Sequence, residues 1–457
     1  MEYKSHKGII IVTIILLIAI GTVVYYFFFS DSYNKPTPAS PISSSTTQFK
    51  PLPSGSISKT DPTKPAAQPS STSTPAGEVQ KLPALRKISN GPVAGAMATT
   101  TPNGLVVRYV DRGVGHIYEA FATSTRVNKI SNITIPKVYE AYWTPRGDSV
   151  IVRYTKDDAT PAVDTLVRIK MERKPVIPEI TEEQLTGSAT STVAGRTALA
   201  KAVALAIKNA SSSVIIYTPS TQAIGLSPLN TAISPSGRQF SVAQEGIKGI
   251  GYISTYDAMG VMKKTKILDT PITQWQVEWP TEDIISLTTK PLSYTTGYQY
   301  FLNTKTGSMV KTIGSIKGLT TLTNSSADRV LYAEYVTGTI TTRLFNLTDQ
   351  TATDVLFKTL PEKCVWSRSK KYSIYCAIPT QIPSASYPDA WYRGELSLND
   401  QIWYINTQTG EVELLSNPLN DAGENVDAIN LSIDSKEQVL TFINKKDLTL
   451  WMVDLTQ

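Results

Sequence analysis

Short apolar runs separated by tight polar turns recur along most of the chain. In the clearest copy, at 141–154, an aromatic run ends in Thr-Pro-Arg-Gly-Asp at 144–148, and a β-branched run follows. Proline fixes φ for a turn and glycine tolerates positive φ, so these five residues reverse the chain. Val, Ile and Tyr favour strands, and the segment therefore predicts a β-hairpin.

Six looser copies of this hairpin give the chain a period. The second position of each turn lies at residues 102, 145, 235, 280, 326, 368 and 435, so that successive steps are 43, 90, 45, 46, 42 and 67 residues. A period of about 45 residues with several short strands per unit is typical of a β-propeller blade. The predicted fold class is all-β, a propeller of seven blades, with eight as the alternative.

Two other strand ends, at 300–307 and 402–410, finish in an Asn-x-x-Thr-Gly turn. Together with the Ser-Pro-x-Gly turn at 234–237, they resemble the repeats of TolB-like and WD40-like (PD40-type) propellers. The resemblance covers roughly residues 81–457 and implies the fold. It implies little about function, because such propellers carry many unrelated activities.

The 90-residue step equals two periods and has two interpretations. Residues 181–227 form either an insertion or a degenerate eighth blade, with 214–217 as one of its strands. An Ala/Leu-rich run at 197–208 is a good helix former and favours the insertion.

The two ends of the predicted propeller complement each other. Residues 82–88 predict a lone outer strand, whereas the last unit, at 427–455, contains only three predicted strands. We therefore expect the N-terminal strand to complete the last blade, which closes the ring and leaves no open edge.

The N-terminal region predicts a membrane anchor. Residues 8–29 carry no charge and are long enough, at 1.5 Å per helical residue, to cross a hydrocarbon core of ~30 Å. Lys4 and Lys7 precede the run and place the stub 1–7 in the cytoplasm. A cleaved signal peptide is the competing interpretation, but the run is long, ends in bulky aromatics and lacks an Ala-x-Ala-like site.

A different kind of segment follows at 30–80. It contains nine prolines interleaved with Ser and Thr and has almost nothing to bury, so a disordered linker is predicted. The predicted protein is single-pass in the cell membrane, and its linker presents the propeller, residues 81–457, outside the cytoplasm.

Composition excludes several classes of function. The 44 basic and 38 acidic residues give a net charge of +6, which indicates a solvated surface and no nucleic-acid partner. Two histidines and the lack of a Gly-x-Ser-x-Gly motif argue against a serine hydrolase. Two cysteines and one histidine beyond the stub do not supply a zinc site. We predict no catalytic residue, metal or cofactor.

The two cysteines suggest a different role. Cys364 and Cys376 lie symmetrically about a hairpin turn centred near Lys370. That places them opposite each other on antiparallel strands, close enough for a disulfide, which is permitted outside the cytoplasm. Two buried thiols are the alternative.

The 67-residue step contains a long loop at 379–400, rich in aromatic and charged residues. Rigid aromatic side chains with polar neighbours suit recognition of a peptide or glycan. The candidate binding residues are Tyr387, Asp389, Trp391, Tyr392, Arg393 and Glu395. The alternative is that these aromatics pack against one face of the propeller.

The predicted function is a non-enzymatic binding or assembly scaffold for a protein, peptide or glycan at the cell envelope. The alternative is a propeller hydrolase or lyase acting on polysaccharide. Paired carboxylates around the central channel would favour the enzyme, and an aromatic rim without them would favour binding.

Overall fold

The computed structural model describes residues 82–156, 163–175, 197, 213–220, 228–246 and 249–457. In these ranges, 28 strands form seven four-stranded antiparallel sheets. The protein is an all-β, seven-bladed propeller, as the turn period predicts. No eighth sheet occurs among the described strands.

The first four blades follow one another along the chain, each with its innermost strand first. Blade 1 contains β2 (Val93–Thr101), β3 (Gly104–Asp111), β4 (Ile117–Phe121) and β5 (Val127–Lys129). Blade 2 contains β6 (Val138–Trp143), β7 (Ser149–Lys156), β8 (Val163–Pro175) and β9 (Ser213–Ser220). Blade 3 contains β10 (Pro228–Ile233), β11 (Gln239–Glu245), β12 (Gly251–Asp257) and β13 (Lys264–Thr270). Blade 4 contains β14 (Trp275–Thr281), β15 (Ile284–Thr289), β16 (Thr296–Asn303) and β17 (Met309–Lys317).

The remaining blades carry the short helical elements. Blade 5 contains β18 (Thr320–Thr323), β19 (Arg329–Val336), β20 (Thr339–Asn346) and β21 (Thr351–Asp354). A 3-10 turn at Pro361–Lys363 leads into blade 6, which contains β22 (Cys364–Trp366), β23 (Ser373–Pro379), β24 (Asp400–Asn406) and β25 (Val412–Ser416). Helix α1 (Asp389–Tyr392) lies between β23 and β24, and α2 (Pro418–Ala422) follows β25. Blade 7 contains β26 (Ala428–Ile433), β27 (Val439–Asn444), β28 (Leu450–Asp454) and β1 (Leu85–Lys87).

The seven repeated turns join the first and second strands of the seven blades. Six of the predicted markers fall between these strands, and in blade 4 the turn lies at 282–283, just after the marker at 280. A polar side chain at the start of each turn accepts a hydrogen bond from a backbone amide further along it. These side chains belong to Thr101, Thr144, Ser234, Thr281, Asn324, Ser367 and Asp434. Such bonds satisfy backbone donors that the strands cannot, which explains the recurring Thr, Ser, Asn or Asp.

The ring closes as the sequence predicts. β1 pairs with β28 in the register Leu85↔Val453 and Lys87↔Trp451, and it forms the outermost strand of blade 7. The Ser89 hydroxyl also accepts a hydrogen bond from the Leu450 amide at 2.8 Å. The N-terminal strand therefore covers an edge that the last three strands would leave open.

The 90-residue step belongs to blade 2. β8 is 13 residues long and pairs with β9, and the segment 176–212 separates them. The strand expected at 214–217 is thus part of β9, the outermost strand of blade 2, and not part of an eighth blade. The predicted helix at 197–208 lies outside the described residues except for Thr197.

The predicted stub, membrane helix and linker, residues 1–80, also lie outside the described residues. In the part of the chain that the structure describes, no helix combines the length and apolarity needed to cross a bilayer.

Stacking of the blades explains why the second strand of a blade contains a continuous run of buried residues. All six residues of β27 are buried, and β11 and β15 each have several consecutive buried positions. A central strand is covered on both faces by neighbouring blades, so both sets of alternating side chains are enclosed. The core is therefore a series of layers between blades, and the inner strands remain free to line the channel.

Candidate functional site

The two ends of the propeller differ in their connections. The end that holds the seven hairpin turns is here called the turn face. The opposite end, which holds the connections between the second and third strands, is called the loop face. The candidate binding loop, between β23 and β24 of blade 6, lies on the loop face because each strand reverses direction.

The loop reaches across neighbouring blades on the loop face. The Ala385 amide donates to the Gly338 carbonyl of blade 5 at 2.9 Å. The Asp389 carboxylate accepts a hydrogen bond from the Ser293 amide of blade 4 at 2.6 Å. Both partners lie in connections between the second and third strands of their blades. The segment from β23 to β24 therefore spans three adjacent blades.

A buried ionic cluster fixes this loop to blade 7. The Lys363 ammonium lies 2.8 Å from Asp400 Oδ2 and 2.5 Å from Asp427 Oδ1, and all three side chains are fully buried. Burial raises the pKa of Asp400 despite Lys363. Burial also acts to raise the pKa of Asp427, but Lys363 and further hydrogen bonds lower it overall. One ammonium thus compensates two carboxylates inside the protein.

Trp391 joins the loop to that cluster. Its indole N–H donates to Asp427, and its ring lies 5.1 Å from each of the Lys363 and Lys445 ammonium groups. Lys445 also donates to the Trp391 carbonyl at 2.8 Å. Cation–π contacts strengthen when they are desolvated, as here, where only 3% of Trp391 is exposed. Trp391 is therefore an anchor for the loop.

The six predicted binding residues separate into two sets. Tyr387, Asp389 and Trp391 are buried, so in this conformation they hold the loop in place. Tyr392 is 37% exposed, and Arg393 and Glu395 lie at the surface as an ion pair with a 2.5 Å contact. The sequence left two interpretations open, binding and packing against the propeller. The first set of residues packs on the propeller, and the second set faces solvent. Binding by these residues stays a prediction.

Tyr392 lies where the loop meets the inner strands. Its hydroxyl donates to Glu362, and the Gln276 side chain donates to both Glu362, at 2.7 Å, and the Tyr392 oxygen, at 2.9 Å. Burial of the hydroxyl end beside Glu362 raises the pKa of Tyr392 well above its usual value, while the exposed part of the residue faces solvent. Gln276 belongs to β14, the innermost strand of blade 4, which places Tyr392 at the mouth of the central channel.

A second carboxylate lies close to Glu362 in this contact. Glu278, two residues after Gln276 on the same inner strand, accepts a hydrogen bond from the Thr323 amide at 2.9 Å. Burial, with a smaller contribution from nearby Glu362, raises the pKa of Glu278 to about 7. Burial likewise raises the pKa of Glu362. The channel therefore holds two acidic groups with a raised affinity for protons.

Beside Tyr392 is a cavity of about 380 Å³, here called the mouth cavity. Its lining combines apolar surface with amide and ammonium groups. The lining residues are Leu229, Asn230, Gln274, Trp275, Gln276, Lys290, Pro291 and Tyr392. The cavity lies between the inner ends of blades 3 and 4, so its walls are formed largely by strand ends and short connections.

The predicted disulfide is present. Cys364 and Cys376 lie directly opposite each other on β22 and β23, with an S–S distance of 2.11 Å and a Cα–Cα distance of 4.1 Å. β23 leads directly into the long loop at Pro379. The bridge therefore ties the strand from which the loop departs to β22, the innermost strand of blade 6.

Metal-binding geometry is not evident in the described ranges, where no group of three or more His, Cys, Asp or Glu side chains could hold an ion. His116 forms a contact of 3.2 Å between its Nε2 and the Thr134 hydroxyl.

Sequence reasoning missed Lys363, Glu362 and Gln276. β14 alternates Trp275, Val277 and Trp279 with polar residues, which was a signal that Gln276 and Glu278 face the channel. Lys363 and Glu362 gave no comparable signal, because they precede a short strand and their partners lie far away in the chain.

No family model matches the chain, and no curated protein matches it. Similar solved structures include TolB from Acinetobacter baumannii, with 10% identity, 70% of this chain and 64% of that chain covered, and a TM-score of 0.36.

Two other similar structures are enzymes. The tricorn protease shows 10% identity over 82% of this chain and 34% of that chain, with a TM-score of 0.44. Oligogalacturonate lyase from Vibrio parahaemolyticus shows 8% identity over 81% and 93% of the two chains, with a TM-score of 0.47. The chain thus spans about a third of the tricorn protease and just under two thirds of TolB.

Proposed function

We propose that this protein is a membrane-anchored, extracytoplasmic scaffold whose propeller binds a protein, peptide or glycan at the cell envelope without chemical turnover. The observation that carries the proposal is the position of Tyr392. It is the one predicted aromatic contact that remains exposed, and it forms a wall of the mouth cavity. Tyrosine at such a position offers a flat apolar surface and a polar tip.

The support beneath Tyr392 favours binding. Trp391, its neighbour, is fixed by Asp427 and two lysines, and the Tyr392 hydroxyl is held by Glu362 and Gln276. A contact residue held in place before binding loses little conformational freedom when the partner arrives. Rigid aromatic anchors of this kind contribute much of the affinity in known interfaces.

The mouth cavity also has the chemistry of a recognition site. Trp275, Leu229 and Pro291 supply apolar surface, and Asn230 and Lys290 supply polar groups. Its volume of about 380 Å³ lies within the range of ligand pockets, and it accommodates a side chain or one sugar unit of a larger partner.

Site-directed photo-crosslinking in cells that produce the full chain tests this proposal. A photoreactive phenylalanine derivative replaces Tyr392 in one version and Val261 in the control. Val261 is 86% exposed and lies between β12 and β13, on the turn face. We expect a defined adduct from position 392, weakened by Lys290→Ala, and none from position 261. Equal adducts from both positions, or none from 392, would contradict the proposal.

The membrane topology is a separate part of the proposal, supported by residues 8–29 and the two lysines before them. Protease treatment of intact cells, or of cells stripped of any outer layer, tests it. Removal of the propeller with retention of the N-terminal stub is the expected result. A propeller that stays protected until the cells are lysed would refute the topology.

A polysaccharide hydrolase or lyase is the second candidate, and the specific observation that favours it is the pair Glu278 and Glu362 in the channel. General acid–base catalysis needs groups with a pKa near the operating pH, which Glu278 has. Against it, Glu362 already accepts two hydrogen bonds and lies under Tyr392. Turnover of wall polysaccharides by the parent that is lost in Glu278→Gln, with thermal unfolding showing that the variant is folded, would establish the enzyme and displace the scaffold.

A further inference from the structure

A second cavity lies on the loop face and shares no lining residue with the mouth cavity. It has a volume of about 360 Å³ and lies between the long loop of blade 6 and the connection from blade 6 to blade 7. This side cleft is defined by Gln381, Pro383, Asp400, Asn417, Leu419 and Asn425. Its walls come from two segments that the Lys363 cluster fixes in place.

The inner end of the side cleft carries an incompletely satisfied carboxylate. Asp400 Oδ2 binds the Lys363 ammonium at 2.8 Å and accepts a hydrogen bond from the Ala428 amide at 2.7 Å. Asp400 Oδ1 is buried and has no hydrogen-bond partner among the described residues. A buried acceptor without a partner is costly, and its negative potential favours a hydrogen-bond donor in the cleft.

The rim of the side cleft offers amide groups. The side chains of Gln381, Asn417 and Asn425 form no hydrogen bond with any other residue in the described part of the chain. Each amide presents two N–H donors and an acceptor oxygen. A sugar hydroxyl both donates and accepts, so amides of this kind match it with donor and acceptor at once.

Apolar surface lies beside these amides. Leu419 is 52% exposed, and Pro383 is also exposed at the opposite wall. Both present aliphatic surface to the side cleft, which suits the C–H face of a sugar ring. Ligand sites generally combine such apolar surface with a few convergent polar groups.

From these features we propose that the side cleft is a binding site for a neutral, hydroxyl-rich saccharide. Its floor disfavours acidic sugars, because the buried cluster beneath it holds two carboxylates, Asp400 and Asp427, against the single Lys363 ammonium. A metal cation fits less well, since the described residues contain no cluster of carboxylates suited to one. The side cleft shares no lining residue with the mouth cavity, so an experiment can refute the proposal for one site and leave the other standing.

Titration calorimetry with the purified full chain tests this site. The probes are chitotetraose and maltotetraose as neutral saccharides, tetragalacturonate as an acidic one, and calcium chloride alone. We expect a neutral probe to bind and the acidic probe and calcium to show no heat. Loss of one neutral hydrogen bond in Gln381→Ala should raise the Kd about 3- to 10-fold.

The matched control is Gln408→Ala. Gln408 is an exposed amide in the turn between β24 and β25, on the turn face, and its replacement should leave the Kd unchanged. Exposed substitutions of this kind rarely disturb folding, and thermal unfolding of each variant checks this. Binding of the acidic probe or calcium alone, no binding of either neutral probe, or equal effects of Gln381→Ala and Gln408→Ala would each overturn the proposal.

Discussion

The turn face and the loop face of this propeller are held together in different ways. On the turn face, each blade secures its own hairpin with a nearby side chain, as Asp434 does for the Val439 amide. Where one turn also bonds another, the partner lies in the adjacent blade, as for Glu437 of blade 7 and the Ser369 amide of blade 6. On the loop face, one loop of blade 6 is held by partners in other blades. Asp389 binds Ser293, 96 residues away, and Lys363 binds Asp427, 64 residues away.

This difference should decide how far the effect of a substitution spreads through the propeller. Damage to a turn should extend no further than the adjacent blade, with which it shares contacts such as that of Glu437 with Ser369. A loop held by a buried ionic cluster couples several blades, because the charges cannot remain buried when one of them is removed. We expect substitutions on the two faces to differ accordingly.

The largest expected effect is that of Lys363→Met. The change leaves Asp400 and Asp427 buried without their ammonium partner, and breaking a buried ionic cluster typically costs about 3–5 kcal/mol. Denaturant unfolding of the full chain measures the loss.

Lys305→Met on the turn face is the matched control. Lys305 pairs with Asp283 at 2.8 Å, but both side chains are at least half exposed, so the expected loss is under about 1 kcal/mol. If the two variants lose the same stability, the contrast between the faces is wrong.

Asp434→Ala is expected to have the next largest effect. The Asp434 carboxylate accepts hydrogen bonds from the Lys436, Gln438 and Val439 amides, at 2.6 to 2.9 Å. Their loss should cost about 1–2 kcal/mol of unfolding free energy. Amide hydrogen exchange should rise in the turn of blade 7 and stay unchanged in blade 4. The control variant Asp434→Asn keeps an acceptor oxygen and should recover most of the lost stability. If exchange rises across all blades, the effect of the turn on stability is not local.

An effect that depends on pH is expected at Glu278. Its pKa rises from 4.5 to about 7 on folding, so the native state keeps a proton that the unfolded chain loses above 4.5. This contribution stabilises the fold below pH 4.5 and is lost as the pH rises toward 7. The neutral Glu278→Gln variant should therefore gain stability relative to the parent between pH 5 and 8, as measured by thermal unfolding. A difference that does not vary with pH would show that Glu278 is not protonated in the fold.

Tyr392→Phe should have the smallest effect on stability. The Glu362 carboxylate loses the phenol but keeps the Gln276 hydrogen bond, so the expected loss is about 1 kcal/mol or less. The ring remains as a wall of the mouth cavity. Unfolding measurements check the stability, and a loss as large as that of Lys363→Met would mean that Tyr392 also anchors the loop.

Most of the features that sequence reasoning identified correctly have a local cause. The hairpin turns follow from residues a few positions apart, and the disulfide follows from the symmetric spacing of Cys364 and Cys376 about one turn. The outer strand β1 could be assigned because the last blade lacked one. The strand at 214–217 was ambiguous, since a strand far from its partner β8 carries no mark of the sheet to which it belongs.

The candidate site was found only in part, because the sequence locates a loop without locating its neighbours. Tyr387, Trp391 and Tyr392 are all aromatic residues of one loop, and nothing in their order indicates that the first two are buried and the third exposed. Lys363 and Asp427 likewise look like ordinary surface charges in the sequence.

The sequence by itself determined the repeat, the strands and their turns, because hydrophobic periodicity and turn chemistry act over a few residues. Tertiary structure alone decided which side chains of the blade-6 loop face solvent. It also decided which charges are buried and where the two loop-face cavities lie. Those properties depend on contacts between residues 60 to 100 positions apart, as in Lys363–Asp427 and Ser293–Asp389, and such contacts exist only when seven blades close into a ring.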